Sequence, residues 1–257
     1  MTNNPFSLDY VEPQSAALDY EADTAPPVKA NGHAIYHDDL IQGSDEWLAA
    51  RCGVITASEM KHLLTVKSLR KSDNDKTRQH VYEILFQRET GFVEPQYVSD
   101  AMLRGQEDEI YARAAYEEHY APVVETGFIT NDKWGFTIGY SPDGLVGDDG
   151  LIEVKSRAGK YQVQTIAENE VPEDYILQLQ TGLLVSERKW IDFISYSGGL
   201  PMFVKRVEAD PLIQGAILAA CSDFEARVSQ KRTEYRATLL GQKFIPTERR
   251  ESMEIIL

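Results

Sequence analysis

Residues 141–156 read SPDGLVGDDGLIEVKS. Asp143 follows a proline, a polar glycine-rich turn comes next, and Glu153 and Lys155 then interrupt an apolar run of Leu151, Ile152 and Val154. Successive side chains of a strand point to opposite faces, so Glu153 and Lys155 share one face and Val154 takes the other. A tight connection lays the segment that ends at Asp143 beside this strand. Two carboxylates that converge repel each other unless a cation sits between them. Hard oxygen donors with water completing the shell suit Mg2+ or Mn2+. A lysine beside such a pair holds or polarises a water and stabilises charge on a phosphorane-like transition state. The chemistry these residues imply is metal-assisted phosphodiester hydrolysis. A solvated hairpin edge is the plain alternative, and Asp148 and Asp149 are expected to be turn residues of that kind.

A second constellation lies upstream in WLAARCGVITASE, residues 47–59. Thr56 and Glu59 have capping-box spacing, which predicts a helix starting at Thr56. The amides of Ala57 and Ser58 are then free donors at a positive dipole end. With the Ser58 hydroxyl and Arg51 they would make a seat for a phosphate; ordinary capping beside a surface arginine is the alternative. Six bases against two acids between Lys61 and His80 offer either a duplex-backbone contact or a solvated charged face. His119 and Cys52 lack any His/Cys spacing that supports zinc, and Cys52 reads as a small packed side chain.

The elements that must position these groups follow from periodicity and caps. Ser44 starts a short helix that Gly53 ends, and helices are predicted over 75–90, stopping at Gly91, and over about 100–119. Strands are predicted at 123–129 and 134–140, then the turn and strand of the opening stretch. An apolar helix follows at 174–186, strands at 189–197 and 202–208, and a long helix at about 211–239. This order predicts an α/β fold with a central mixed β-sheet flanked by helices. Residues 1–35 are acidic, rich in proline and without periodicity, and read as a disordered tail in which Phe6, Tyr10 and Tyr20 are candidate partner anchors. The folded domain is expected over 36–245, with a C-terminal tail at 246–257.

Composition sets the outer bounds. The chain has 257 residues and two cysteines, Cys52 and Cys221, which excludes a four-cysteine iron–sulfur cluster and a disulfide-rich design. No apolar run reaches a membrane span and no secretory signal is recognisable, so a cytoplasmic protein is expected. The net charge of −15 argues against nucleic acid if taken alone. But residues 1–46 carry nine acids and one base, so the excess is concentrated away from the chemistry and a local basic face is not excluded.

Taken with WLAARCGVITASE, GQEDE (105–109), SPDG…LIEVKS and LQLQTGLLV (177–185), the chain resembles the phage lambda exonuclease family, also described as YqaJ-like viral recombinases, within the PD-(D/E)xK nuclease superfamily. The four stretches occur in the family's order. The resemblance implies a restriction-endonuclease-like fold and a Mg2+-dependent 5′-to-3′ exonuclease. It would act on ends of linear double-stranded DNA and leave 3′ single-stranded overhangs for recombination. It implies Asp143, Glu153 and the Val154 main-chain carbonyl as metal ligands, for two ions, and Lys155 as the residue that positions the water. Glu109 completes the acidic cluster directly or through water, with Glu107 close enough to compete for that role. Gln180, or failing that Gln178, contacts the nucleophile or the DNA backbone. Arg51, Thr56 and Ser58 seat a 5′-phosphate. Met102 or Leu103 falls where the family has an apolar wedge, with core packing the stronger expectation. A ring-shaped homotrimer, a single-strand annealing protein as partner and a phage or prophage origin in a bacterial cytoplasm also follow from the resemblance alone. The rivals are a restriction- or repair-type endonuclease and a DNA-end-binding module with an inactive site.

Overall fold

A computed structural model describes residues 34–94 and 99–249. Most of the expected acidic tail, with its three aromatics, and residues 250–257 lie outside the described residues. The chain runs β1 (Ile35–His37), α1 (Asp45–Arg51), β2 (Ile55–Thr56), a 3-10 helix (Ala57–His62), β3 (Leu64–Thr65), β4 (Arg70–Lys71), α2 (Asp75–Thr90) and α3 (Asp100–His119). It continues through β5 (Phe128–Asn131), β6 (Ile138–Tyr140), β7 (Gly144–Val146), β8 (Gly150–Ser156), α4 (Gly159–Glu168), α5 (Glu173–Ser186), β9 (Trp190–Tyr196), β10 (Phe203–Glu208) and α6 (Pro211–Gly241).

The strands divide between two mixed sheets, ordered β1-β5-β6-β2 and β10-β9-β8-β7, beside a small β3–β4 hairpin. β8 is central. It pairs antiparallel with β7, Gly144 opposite Ile152, and parallel with β9, Glu153 opposite Phe193. Parallel neighbours need a crossover, and α4 and α5 supply it. One face of β8 presents Ile152 and Val154 to Ala112 and Tyr116 of α3. The other presents Leu151 to the main core, which α2, α5 and α6 close with Ile84, Leu183 and Phe224.

The helices predicted at 75–90 and 100–119 have these bounds, because Asn74 and Ser99 cap them and Gly91 adopts the left-handed conformation that ends a helix. Three expectations are corrected. The strand predicted at 123–129 is reduced to a Val124–Leu145 bridge, with regular pairing only from Phe128. The helix predicted at Thr56 is a 3-10 turn of six residues. α4 was not expected: its N-cap, Ala158, makes no side-chain hydrogen bond, so no capping signal marks it.

One ion pair ties the upstream constellation to this frame. The Arg88 guanidinium donates to both oxygens of Glu225 on α6 at 2.7 and 2.6 Å, and its Nε donates to the Gly53 carbonyl at 2.9 Å. Gly53 has φ +72°, and a Cβ there would meet Arg88 Cγ at 2.6 Å, so glycine is required on both counts. Arg88→Ala is expected to lower unfolding free energy by about 2 kcal/mol, the order of a charged hydrogen-bonded pair, read from urea denaturation.

Candidate active site

The site is built around Glu153, only 1 % exposed. A carboxylate so buried requires donors, and three elements supply them. Lys155 Nζ, two residues along β8, donates to Oε1 at 2.5 Å. Gln178 Nε2, on α5, donates to the same oxygen at 2.6 Å. Tyr140 OH, at the end of β6, donates to Oε2 at 2.7 Å. A carboxylate offers about four lone-pair sites, so one remains.

Asp143 sits just before β7. Its Oδ2 accepts the Val154 amide at 2.6 Å, in the place a longer β7 would occupy. The N–H and C=O of one strand residue project to the same side, so the Val154 carbonyl also points to this edge. Glu109 comes from α3, half-buried, whereas Glu107 is exposed. Glu109 and Asp143 line one cleft of about 920 Å³ together with Arg51, Thr56, Glu59 and Met102.

The electrostatics are those of a site short of positive charge. Burial, then the charges of Glu153 and Glu109, push the Asp143 carboxyl well above the usual carboxylate range, against the opposing pull of Lys155 and the Val154 amide. Glu109 is raised by burial and by Glu153, with Arg113 and Lys155 opposing. Burial alone would lower the Lys155 ammonium, but Glu153 and Asp143 outweigh it and hold the proton more tightly than in an ordinary lysine. Burial and the same two carboxylates keep the Tyr140 phenol protonated. Lys155 and Tyr140 are therefore donors here. This donor set fits a divalent cation: Asp143 lines the cleft with its Oδ2 held by the Val154 amide, and a second positive charge would offset the burial and repulsion that raise its carboxyl. Among the described residues these carboxylates do not bring three ligand atoms within 4.8 Å of one another.

Gln180, the first choice from sequence, is placed elsewhere. It is buried, donates to the Glu208 carbonyl at 2.8 Å and accepts the Asp210 amide at 2.8 Å. It ties α5 to the start of α6, and Gln178 faces the site instead. Met102 and Leu103 do not pack in the core: they are 46 % and 54 % exposed, although Arg104 and Asp108 of the same helix bond Ser156 of β8. Three of the bases between Lys61 and His80 meet acids, Lys67 with Glu173, Lys71 with Asp223 and Arg78 with Asp73 and Asp75. Asp149 pairs with Lys189 in the turn. His119 lies exposed beside Glu118, and the Cys52 thiol donates to the Gln87 carbonyl.

Upstream, Arg51 lies over the Trp47 ring at 4.3 Å and reaches Thr56 Oγ1 at 3.4 Å and Ser141 Oγ at 3.5 Å. Such long contacts leave donors of its fork for a ligand. Glu59 accepts both the Thr56 amide and the Thr56 hydroxyl, at 3.2 and 2.5 Å. Ser58 is exposed, its hydroxyl 3.3 Å from that of Thr56, and it does not line the cleft. Sequence reasoning missed Tyr140 and Trp47. Each is an aromatic inside a recognised stretch, and only its hydrogen-bonded or stacked partner reveals the role.

The raised carboxyls make a pH prediction. A carboxyl whose folded pKa exceeds its unfolded value, about 4, gives stability that is complete below that value and is lost as pH rises through the raised one. With a chelator present, the urea midpoint is expected to fall as pH rises above the ordinary carboxylate value of about 4. Asp143→Asn should flatten that fall. Mg2+ should restore the midpoint at the upper pH in the wild-type chain and not in Asp143→Asn. Tyr140→Phe, which removes one of three donors to Glu153, should lower kcat on the order of tenfold, about 1.4 kcal/mol, and lower unfolding free energy by about 1 kcal/mol.

Residues 46–189 match the YqaJ-like viral recombinase domain. No curated protein matches the chain in sequence. Among solved structures, an alkaline exonuclease (LHK-Exo) from Laribacter hongkongensis is 33 % identical with a TM-score of 0.68, covering 77 % of this chain and 99 % of that one. The same enzyme in complex with dAMP superposes with a TM-score of 0.64 at 33 % identity, over 76 % of this chain and 100 % of that one. A phage-related exonuclease from Haemophilus somnus 129PT shares the fold, with a TM-score of 0.52 and 13 % identity over 71 % of this chain and 96 % of that one. With more than half of its length inside the matched domain, this chain belongs to the YqaJ-like viral recombinase family and is a nuclease.

Proposed function

We propose that the chain is a Mg2+-dependent exonuclease that degrades one strand of linear duplex DNA from its 5′ end and leaves a 3′ overhang for single-strand annealing. The observation that carries this reading is one cleft lined by two groups of residues. Asp143 and Glu109 are one, with Asp143 held by the strand that carries Glu153 and Lys155, and Arg51 and Thr56 are the other. Asp143, Glu153 and the Val154 carbonyl would hold the cation, with Glu109 reaching it through water; two ions, and Mn2+ in place of Mg2+, suit the same oxygens. The cation supplies a water activated for attack and neutralises charge on the scissile phosphate.

The chain's own groups do the rest. Lys155 donates from its ammonium to the attacking water or to a phosphoryl oxygen and keeps its proton while Glu153 and Asp143 are charged. Gln178 holds Glu153 and, by its place on α5, can turn toward the nucleophile. Arg51 and Thr56, with Ser58 at the rim, would receive the terminal 5′-phosphate, which fixes the distance from the end to the bond that breaks. Water bonds to phosphorus, the bond to the 3′ oxygen breaks, and a 5′-mononucleotide leaves; the complex of LHK-Exo with dAMP is in keeping with such a product. Met102, exposed on the cleft wall, is suited to wedge against a terminal base pair.

The family also supports a ring-shaped homotrimer, a separate annealing protein as partner, and work in the cytoplasm of a bacterial host from a phage or prophage gene. No helix among the described residues is long and apolar enough to cross a membrane. In a ring, acids can face outward while bases line the channel, so the net charge of −15 need not repel DNA from the site. An endonuclease of the same superfamily is the second reading, favoured only by the shared carboxylate–lysine core.

Linear duplex carrying a 5′-phosphate should be digested faster than the 5′-hydroxyl form in Mg2+, and a closed circular duplex should survive. Equal rates on the two ends would remove Arg51 and Thr56 from the phosphate role, and a cut circle would favour the endonuclease. Lys155→Ala and Gln178→Ala should lose at least about a hundredfold in kcat, roughly 2.7 kcal/mol, while folding normally. Gln180→Ala should instead lower the melting temperature.

A further inference from the structure

A second group of ligand-type side chains lies on the wall of the same cleft, away from Asp143. His80 of α2 is 3 % exposed, with its ring 5.1 Å from Phe224 and 5.7 Å from the His62 ring. Its Nδ1 lies 3.1 Å from Glu83 Oε2. Its Nε2 is buried and has no hydrogen-bond partner, and the nearest carboxylate oxygen, Glu59 Oε2, is 3.9 Å away. Glu59, His80 and Glu83 bring one ligand atom each within 4.8 Å of one another, and among the described residues they are the one such group. Glu59 and Glu83 both line the cleft.

Unpartnered buried nitrogens are rare and call for an explanation. With the Nδ1 proton directed at Glu83, the ring takes the tautomer that leaves a lone pair on Nε2. That lone pair faces a carboxylate oxygen with no donor between them. Two acceptors so placed suit a cation. A histidine whose other nitrogen is held by a carboxylate is also the usual arrangement around a protein-bound metal ion. We propose that Glu59 and His80, with Glu83 orienting the ring, form a second cation site for a divalent transition metal such as Mn2+ or Zn2+. Imidazole beside carboxylate suits these ions, whereas Mg2+ prefers oxygen alone. The ion would also secure Glu59, which holds the Thr56 amide and hydroxyl, and would add positive charge beside Arg51. Its effect on a DNA phosphate rests on the function proposed above; the binding itself does not.

The test is Mn2+ binding to the full chain in the absence of DNA, followed by pulsed electron paramagnetic resonance. Imidazole coordination gives a directly bound ¹⁴N coupling that an all-oxygen carboxylate site cannot give. The coupling is expected in the wild-type chain, in Asp143→Asn and in His62→Gln, and is expected to vanish in His80→Gln with at least about a tenfold loss of affinity at this site. Absence of the coupling in the wild-type chain, or its survival in His80→Gln, overturns the proposal. Should His80→Gln fail to fold, Glu59→Gln and Glu83→Gln at the cleft wall serve instead, with about tenfold weaker Mn2+ binding expected. Unchanged affinity and coupling in both would equally overturn it. Loss of nuclease activity does not enter any of these outcomes.

Discussion

One buried carboxylate organises the molecule. Glu153 cannot remain charged at 1 % exposure without donors, and those donors come from β8 itself, from β6 and from α5. The two mixed sheets and the crossover helix therefore meet at a single side chain. β6 belongs to the sheet that carries β2 and, through it, the Thr56 corner. β8 belongs to the sheet that carries Asp143 at its edge. The Tyr140–Glu153 hydrogen bond joins the sheet that carries Asp143 to the sheet that carries the Thr56 corner. Removing the Glu153 side chain would leave Lys155, Gln178 and Tyr140 without their acceptor, a larger loss than any one contact suggests.

The surrounding charge follows the same logic. The cleft gathers Asp143 and Glu109 at one end and Glu59 and Glu83 at the other, in a chain whose net charge is already −15. Such a surface repels a polyanion unless it is neutralised where the phosphates arrive. Arg51 on Trp47, Lys155 and bound cations are the means at hand. Arg88 and Arg113 are already engaged, with Glu225 and Glu125. Lys67, Lys71 and Arg78 of the 61–80 segment are paired with acids as well.

Much of this was legible in the sequence, and the parts that were not have specific causes. Asp143, Glu153 and Lys155 could be read because strand alternation and a short turn are local rules. The bounds of α2 and α3 could be read because capping residues and Gly91 mark them. The helix glutamine could not. Residues two apart on a helix point about 200° apart, and Leu177, Leu179, Leu183 and Val185 are all buried, so apolar residues surround α5 and give no phase by which to choose Gln178 over Gln180. Met102 read as core because it is apolar, but it lines the cleft instead. His80 and Glu83 have simple helical spacing, yet Glu59 joins them from another element, and no local rule brings the three together.

β7 is only three residues long, and its brevity decides where chemistry can occur. Sheet edges are ordinarily hazards, because unmet amides and carbonyls invite a stray strand. Here the hairpin stops short, and the next rung of the ladder is filled by a side chain, Asp143, in place of a backbone neighbour. The place of Asp143 is thus set by where pairing ceases: a hairpin two residues longer would set backbone opposite Val154 in place of that side chain, with every acid in the sequence still present. In this fold a missing rung is as much a part of the site as the residues around it.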